Sequence, residues 1–199
     1  MLILASKSPT RKTLLDNAGL RFSVQGAPID EREIESRLLT KHANRAGLAR
    51  ELAEAKALAV SAQHLGAVVI GADQTLDFRG KGFHKPENRA EAAERLMEMA
   101  GTSHQLHSGV ALARDGALLW SAVESATLTF RQFSRQTLDA VLDLEGDAIL
   151  ASVAGYRLEG PSIRLFESVE GDYFTILGLP LLPLLAALEQ HAPEIFRTQ

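Results

Sequence analysis

Residues Ala67-Val68-Val69-Ile70-Gly71-Ala72 form an unbroken apolar run. A half-exposed strand alternates apolar and polar residues, whereas a continuous run marks a central strand covered on both faces, as in α/β sheets. The run leads into Asp73-Gln74-Thr75. Ligands of open α/β sheets sit beyond the carboxyl ends of the strands, which puts Asp73 where such a fold does its chemistry. A carboxylate in that place also reads as a simple helix or turn cap.

A second apolar run, Leu2-Ile3-Leu4-Ala5, predicts another buried strand. Ser8-Pro9 then starts a helix, with Ser8 as N-cap and Pro9 at the first helical position, where its missing N–H costs nothing. Leu14, Leu15 and Ala18 supply the apolar face, and Gly19 stands at the expected stop. Between strand and helix lie the hydroxyls of Ser6 and Ser8 and the cations of Lys7 and Arg11, around free N–H groups of a helix N-terminus. That is an anion cradle suited to phosphate. An ordinary capped helix shows the same spacing.

Phe22–Gly26 reads as a short strand. It leads into the acidic stretch Ala27-Pro28-Ile29-Asp30-Glu31-Arg32-Glu33, which predicts a loop after the proline. Carboxylates there form either a solvated turn or ligands for a hard divalent cation. Asn44 to His64 predicts an amphipathic helix, with Leu48, Leu52 and Ala59 inward and Arg50, Glu51 and Glu54 outward. Lys56 follows Leu52 by four residues and so falls on the apolar stripe. Either its stem snorkels or its ammonium points into a cleft.

Leu76 to Pro86 predicts a hairpin turning at Gly80-Lys81-Gly82, followed by a helix from Glu87 or Asn88 to Gly101. Asp115-Gly116 is a strong hairpin turn between Val110–Ala113 and Leu118–Trp120, with extended chain continuing from Ser121 to Phe133. Ser134 caps a further helix that closes near Glu145-Gly146, and Pro180 starts a last one with Leu182, Leu185 and Leu188 inward. His104 and His107 lie three apart on an extended segment, hence on opposite faces, which argues against a shared metal.

The 199 residues suffice for one domain or two lobes sharing a cleft, burying roughly 70% of the unfolded surface. A net charge of −4 argues against a nucleic-acid backbone as partner, but not against a small anion in a local basic pocket. With no cysteine there is no disulfide framework, thiolate metal site or cysteine nucleophile. The first residues lack a signal-peptide pattern, and no apolar run approaches the ~20 residues that span a bilayer. A cytoplasmic setting without membrane attachment is the expectation.

Several ordered motifs carry a resemblance. Ser6-x-Ser8-Pro9-x-Arg11-x-x-Leu14-Leu15 after Leu2–Ala5, Gly71-Ala72-Asp73, Lys85-Pro86, Gly155-Tyr156-x-x-Glu159-Gly160, Gly171-Asp172-Tyr173 and Leu177-Gly178-Leu179-Pro180 resemble the signatures of the Maf family of nucleoside triphosphate pyrophosphatases. The resemblance covers most of the chain and implies one domain over 1–199. Its fold would be α/β, with a mixed, strongly bent central sheet, flanking helices and two lobes around a cleft. It also implies a homodimer, a nucleoside triphosphate substrate and a divalent metal cofactor (Mg²⁺, Mn²⁺ or Co²⁺).

Releasing pyrophosphate requires water to attack the α-phosphorus, with positioned charge stabilising the transition state. Ser6, Ser8, Arg11, Lys56 and Lys85 can hold the triphosphate. Glu31 and Asp73 can hold the metal, and Asp73 or its bound water can serve as general base. Thr10, Gln74 and Glu159 fall where branches of the family differ in their base. Asp73-Gln74 and Leu158-Glu159-Gly160 resemble the branch acting on 7-methyl-GTP, which suggests a role in nucleotide-pool house-cleaning. Thr10 departs from that branch's aromatic residue, and His84 replaces a glycine. A dTTP/UTP pyrophosphatase, a non-catalytic nucleotide-binding regulator of cell division and a structural interaction module remain the alternatives.

Overall fold

The computed structural model describes residues 1–39 and 44–197. In chain order the first half runs β1 (Leu2–Ala5), α1 (Pro9–Asn17), β2 (Ser23–Val24), α2 (Glu31–Leu39), α3 (Arg45–Ser61), β3 (Val68–Phe78), β4 (Lys81–Phe83) and α4 (Arg89–Met99). The second half runs β5 (Ser103–Arg114), β6 (Ala117–Phe130), α5 (Arg135–Glu145), β7 (Phe166–Glu170), α6 (Tyr173–Ile176), α7 (Leu181–His191) and α8 (Glu194–Arg197), with 3₁₀ turns at Gly146–Ala151 and Pro161–Leu165. The strands among these residues form one mixed sheet of order β2-β1-β3-β5-β6-β7, with β4 also on β3. β1 is parallel to β2 and β3, and the other pairs are antiparallel. The chain is therefore α/β with helices flanking a mixed sheet, as the resemblance implies.

One edge of β3 is shared by two short strands. β1 covers it from Val68 to Gly71, and β4 covers it from Leu76 to Phe78. Among the described residues, Ala72 to Thr75 have no strand partner on that edge, while β5 pairs them on the other. The run through Asp73 thus does not end a strand, as the sequence suggests. The strand continues, and it is its neighbour β1 that stops. The topology is read from the wrong strand, but the opening falls at the same residue.

Side chains on one face of β3 serve two cores. Val68, Ile70 and Ala72 pack with α1 and α7, and Leu76 and Phe78 pack with α4, α5 and the aromatic residues of the second lobe. On the other face α3 approaches very closely. A methyl group at Gly71 would stand 2.1 Å from the carbonyl oxygen of Ala53, and one at Gly109 2.2 Å from that of Ala49. Ala53, Ala57, Ala111 and Ala113 complete this contact of small residues. Leu48, Leu52 and Lys56 are buried on α3, whereas Ala59 is only half-buried, because the helix turns its Ala53–Ala57–Val60 stripe to the sheet.

Local differences from the sequence expectations have simple causes. The hairpin turns at Arg79-Gly80, both at positive φ (55° and 79°), one residue before the predicted centre. Asp115-Gly116 makes the same kind of turn, as predicted, with φ of 54° and 76°. Glu31 opens a helix rather than lying in a loop. The carboxylate of Asp30 accepts from the N–H groups of Arg32 (3.0 Å) and Glu33 (3.1 Å), a cap hidden among its acidic neighbours. Leu182 is 61% exposed, because α7 inserts Leu181, Leu184 and Leu188 at helical spacing instead. No helix among the described residues is long and apolar enough to cross a membrane.

His104 belongs to the second core. It stacks on Phe130, with centroids 5.1 Å apart, and its Nε2 lies 2.7 Å from the Tyr156 hydroxyl. Burial lowers its pKa to about 4. The unfolded chain takes up this proton near pH ~6.5, so the stability contribution is complete above that value and is lost as pH falls towards 4, by about 3 kcal/mol. His104→Gln, which keeps a partner for Tyr156, should flatten that part of the profile. Denaturant titrations of both proteins at pH 7 and pH 4.5 measure the difference.

Candidate active site

Where β1 stops, the chain leaves the sheet into α1. The cap predicted at Ser8 forms, its Oγ accepting from the Arg11 N–H at 3.4 Å, and the Ser8 N–H donates to Ser6 Oγ at 3.3 Å. Arg11 is buried and its guanidinium reaches across the uncovered edge of β3. Nη1 donates to the carbonyl of Ala72 (2.8 Å) and to Ser6 Oγ (3.1 Å), and Nε donates to the carbonyl of Gly178 (2.7 Å). Burial lowers its pKa, against the opposing pull of Asp73 and Glu31. Arg11 is thus first a strut tying three segments together. The described contacts leave Nη2 as its donor for a ligand.

On the other face of β3, α3 delivers Lys56 to the same opening. Its Nζ lies 2.6 Å from Asp73 Oδ1 and 2.9 Å from Glu31 Oε1. Of the two sequence options for Lys56, the structure takes the cleft. The side chains of Lys56 and Asp73 are nearly buried (10% and 13% exposed), whereas that of Glu31, on the first turn of α2, is 55% exposed. Burial raises the pKa of Asp73. Lys56 and Arg11 oppose that shift, and Glu31 adds to it. The carboxyl therefore holds a proton more readily than an ordinary aspartate.

These groups line one cleft of about 930 Å³. Every sequence-nominated residue reaches it: Ser6, Ser8, Thr10, Arg11, Glu31, Lys56, Asp73, Gln74, Lys85 and Glu159. Lys85 is exposed on the segment after β4, and Glu159 is exposed on the turn before the second 3₁₀ segment. Gln74 points to the face opposite Asp73. Its Nε2 lies within 3.2 Å of Ser108 Oγ and the carbonyls of Thr175 and Ile176, so it braces the 175–178 segment and keeps only Oε1 uncommitted.

The cleft wall also carries a network that sequence reasoning missed. Arg45 Nη1 lies 3.1 Å from Glu35 Oε1, and His84 Nε2 lies 3.5 Å from Glu35 Oε2. Glu35 follows Glu31 by one helical turn. Had α2 been recognised as a helix, that spacing would have put both carboxylates on one side. Arg157, also on the wall, stands at an unspecified position of the Gly155–Gly160 motif.

Residues 1–191 match the family model described as Maf-like protein. The chain belongs to the Maf-like family. Among its relatives, a protein of Brucella suis named 7-methyl-GTP pyrophosphatase is 50% identical over 189 residues, 95% of each chain. A protein of Bradyrhizobium diazoefficiens named nucleoside triphosphate pyrophosphatase is 52% identical over 187 residues, 94% of this chain and 92% of its own. A 7-methyl-GTP pyrophosphatase of Rhizobium meliloti is 47% identical over 190 residues, 96% of each. Within this Maf-like chain, the contact of His84 with Glu35 links α2 to the segment after β4.

Proposed function

We propose that this chain hydrolyses a nucleoside triphosphate to the monophosphate and pyrophosphate, with a 7-methylated guanine nucleotide as preferred substrate. The observation that carries this reading is the Lys56 ammonium held between Glu31 and Asp73, in the cleft that also takes the Ser6–Ser8 helix start. The names of the relatives support the same chemistry.

In this reaction a water oxygen attacks the α-phosphorus. The bond to the bridging oxygen breaks, and pyrophosphate leaves with its electron pair. Asp73 accepts the proton of the water, a role favoured by the upward shift that burial imposes on it. Ser6, Ser8, the N–H groups opening α1, Arg11, Lys56 and Lys85 hold the phosphate oxygens and stabilise the developing charge. Glu31 and Asp73 also fit a divalent cation. They offer two hard oxygens near enough to share one ammonium, and no group of three or more His, Asp or Glu able to hold a metal occurs among the described residues. That set suits Mg²⁺, Mn²⁺ or Co²⁺, since such a cation can complete its shell with water and substrate phosphates. Bound there, the cation supplies charge neutralisation at the triphosphate.

Glu159 gives the base its recognition. A carboxylate accepts from both N1–H and N2–H of guanine, and a 7-methylated ring adds a positive charge to attract it. Thr10 offers no aromatic face for stacking, so selectivity falls on this carboxylate and on Gln74 Oε1. The family resemblance supports one domain over 1–199, a homodimer and a cytoplasmic setting.

A panel of natural and modified triphosphates, assayed for pyrophosphate release with each of the three metals, tests the proposal. The expected kcat/KM for 7-methyl-GTP exceeds that for dTTP and UTP by roughly tenfold or more, and Glu159→Gln erases that lead. Equal or better turnover of dTTP removes the base assignment. Calorimetric binding of a nucleotide without pyrophosphate release favours the non-catalytic regulator.

A further inference from the structure

Glu145, at the end of α5, has a fully buried side chain and does not line the cleft. A buried carboxylate is costly unless its oxygens are saturated. Here they are. Oε1 accepts from the N–H and the hydroxyl of Ser162, each at 2.8 Å, and Oε2 takes Nε and Nη2 of Arg157, each at 2.9 Å. The two partners bracket the turn Arg157-Leu158-Glu159-Gly160-Pro161-Ser162, so one side chain fixes both ends of the segment that presents Glu159. Gly160 fits the same arrangement. A methyl group there would lie 2.6 Å from Glu145 Oε1 and 3.1 Å from Arg157 Nη2, so the glycine leaves room for the carboxylate beneath the turn.

We infer that Glu145 is a positioning residue for base selection: it holds the Arg157 guanidinium away from Glu159 and so keeps the Glu159 carboxylate available to the nucleobase. This role rests on the proposed recognition of guanine by Glu159. Arg157 reaches the cleft, with a third of its side chain exposed, two residues from Glu159. Glu159 itself has no hydrogen bond or ion pair among the described residues. A guanidinium is the strongest competitor for a carboxylate that a protein can place nearby, because its fork matches both oxygens. Glu145 satisfies that fork from below. Released, Arg157 would pair with Glu159 and occupy the acceptor that guanine needs.

The test is the kinetics of Glu145→Gln with 7-methyl-GTP and with dTTP. The variant keeps the size of the side chain and an acceptor for Ser162 but drops the charge that holds Arg157. The expected result is a KM for 7-methyl-GTP raised roughly tenfold, with kcat within about twofold and dTTP kinetics unchanged. The double variant Glu145→Gln/Arg157→Gln lacks the competing cation and should recover most of the lost discrimination. A merely structural role predicts a double variant at least as impaired as the single one. Gly160→Ala displaces the Glu145 carboxylate by another route and should reproduce the KM-only loss even if Glu145→Gln fails to fold. Parental discrimination in either folded single variant, or no recovery in the double, overturns the inference. If Glu159→Gln abolishes the guanine preference while Glu145→Gln leaves it intact, only the positioning role falls. If the parent shows no guanine preference, the base assignment falls with it.

Discussion

Asp73→Asn should lose pyrophosphate release by roughly three orders of magnitude while remaining folded. The substitution is nearly isosteric and leaves Lys56 its contact with Glu31, so the packing of α3 on β3 does not change. What it removes is the carboxylate that reaches Lys56 from the sheet, the group proposed to take the proton of the water. The effect on stability should run the other way. Burial raises the Asp73 pKa more than Lys56 and Arg11 lower it, so the folded protein holds the ionised form less well than the unfolded chain does. For an acid shifted upwards, stability is present below its ordinary pKa and is lost as pH rises through the folded value. The asparagine variant escapes that loss. At neutral pH it should melt no earlier than the parent, a trade of stability against activity typical of catalytic sites. Circular-dichroism melting beside a pyrophosphate assay measures both; turnover within tenfold of the parent would remove Asp73 as the base.

Gly71→Ala should have the largest effect on folding. The added methyl group meets a backbone carbonyl at 2.1 Å, a group that cannot swing aside as a side-chain tip can. Either α3 lifts from the sheet or β3 bends, and overpacking of this kind costs about 3 kcal/mol. For a chain of this length, the melting temperature should fall on the order of 10 °C. Activity at temperatures where the variant is still folded should also fall, because Lys56 lies one helical turn beyond the displaced Ala53. A variant with the parental melting temperature would show that the helix can be moved at little cost. Gly109→Ala, facing the carbonyl of Ala49 at 2.2 Å, is the matching test further along α3.

Much of this architecture was legible because the residues that position the site also obey local rules. Ser8-Pro9, Asn44, Asn88 and Ser134 all cap helices where capping chemistry puts them. Asp115-Gly116 turns the hairpin as its dipeptide requires. The nominated site residues share one cleft, although Asp73 and Gln74 point to opposite faces of their strand. Two kinds of feature escaped. Asp30 caps α2, but an Asp among Glu residues after a proline reads equally well as solvated turn. Contacts between distant segments have no local signature at all: Arg11 bracing Ala72 and Gly178, Gln74 bracing residues 175–176, and Glu145 gripping Arg157 and Ser162. Each is a polar side chain whose partner lies elsewhere in the chain, and its spacing shows only that it is polar.

The division of β3 between two cores has a consequence for biogenesis. The core beneath the Ser6–Arg11 wall of the cleft joins Leu2, Leu4, Leu14 and Leu15 to Leu179, Leu181, Leu184 and Ile195, whereas the other draws on residues 76 to 176. Emerging from the ribosome, the second core can condense first. Leu2–Ala5 can pair with β3 earlier, but the core they share with Leu14 and Leu15 is complete only when residues 179–195 follow. The carbonyl of Gly178 that steadies Arg11 arrives with them, so the strut at Arg11 is completed late, as the last apolar helix docks.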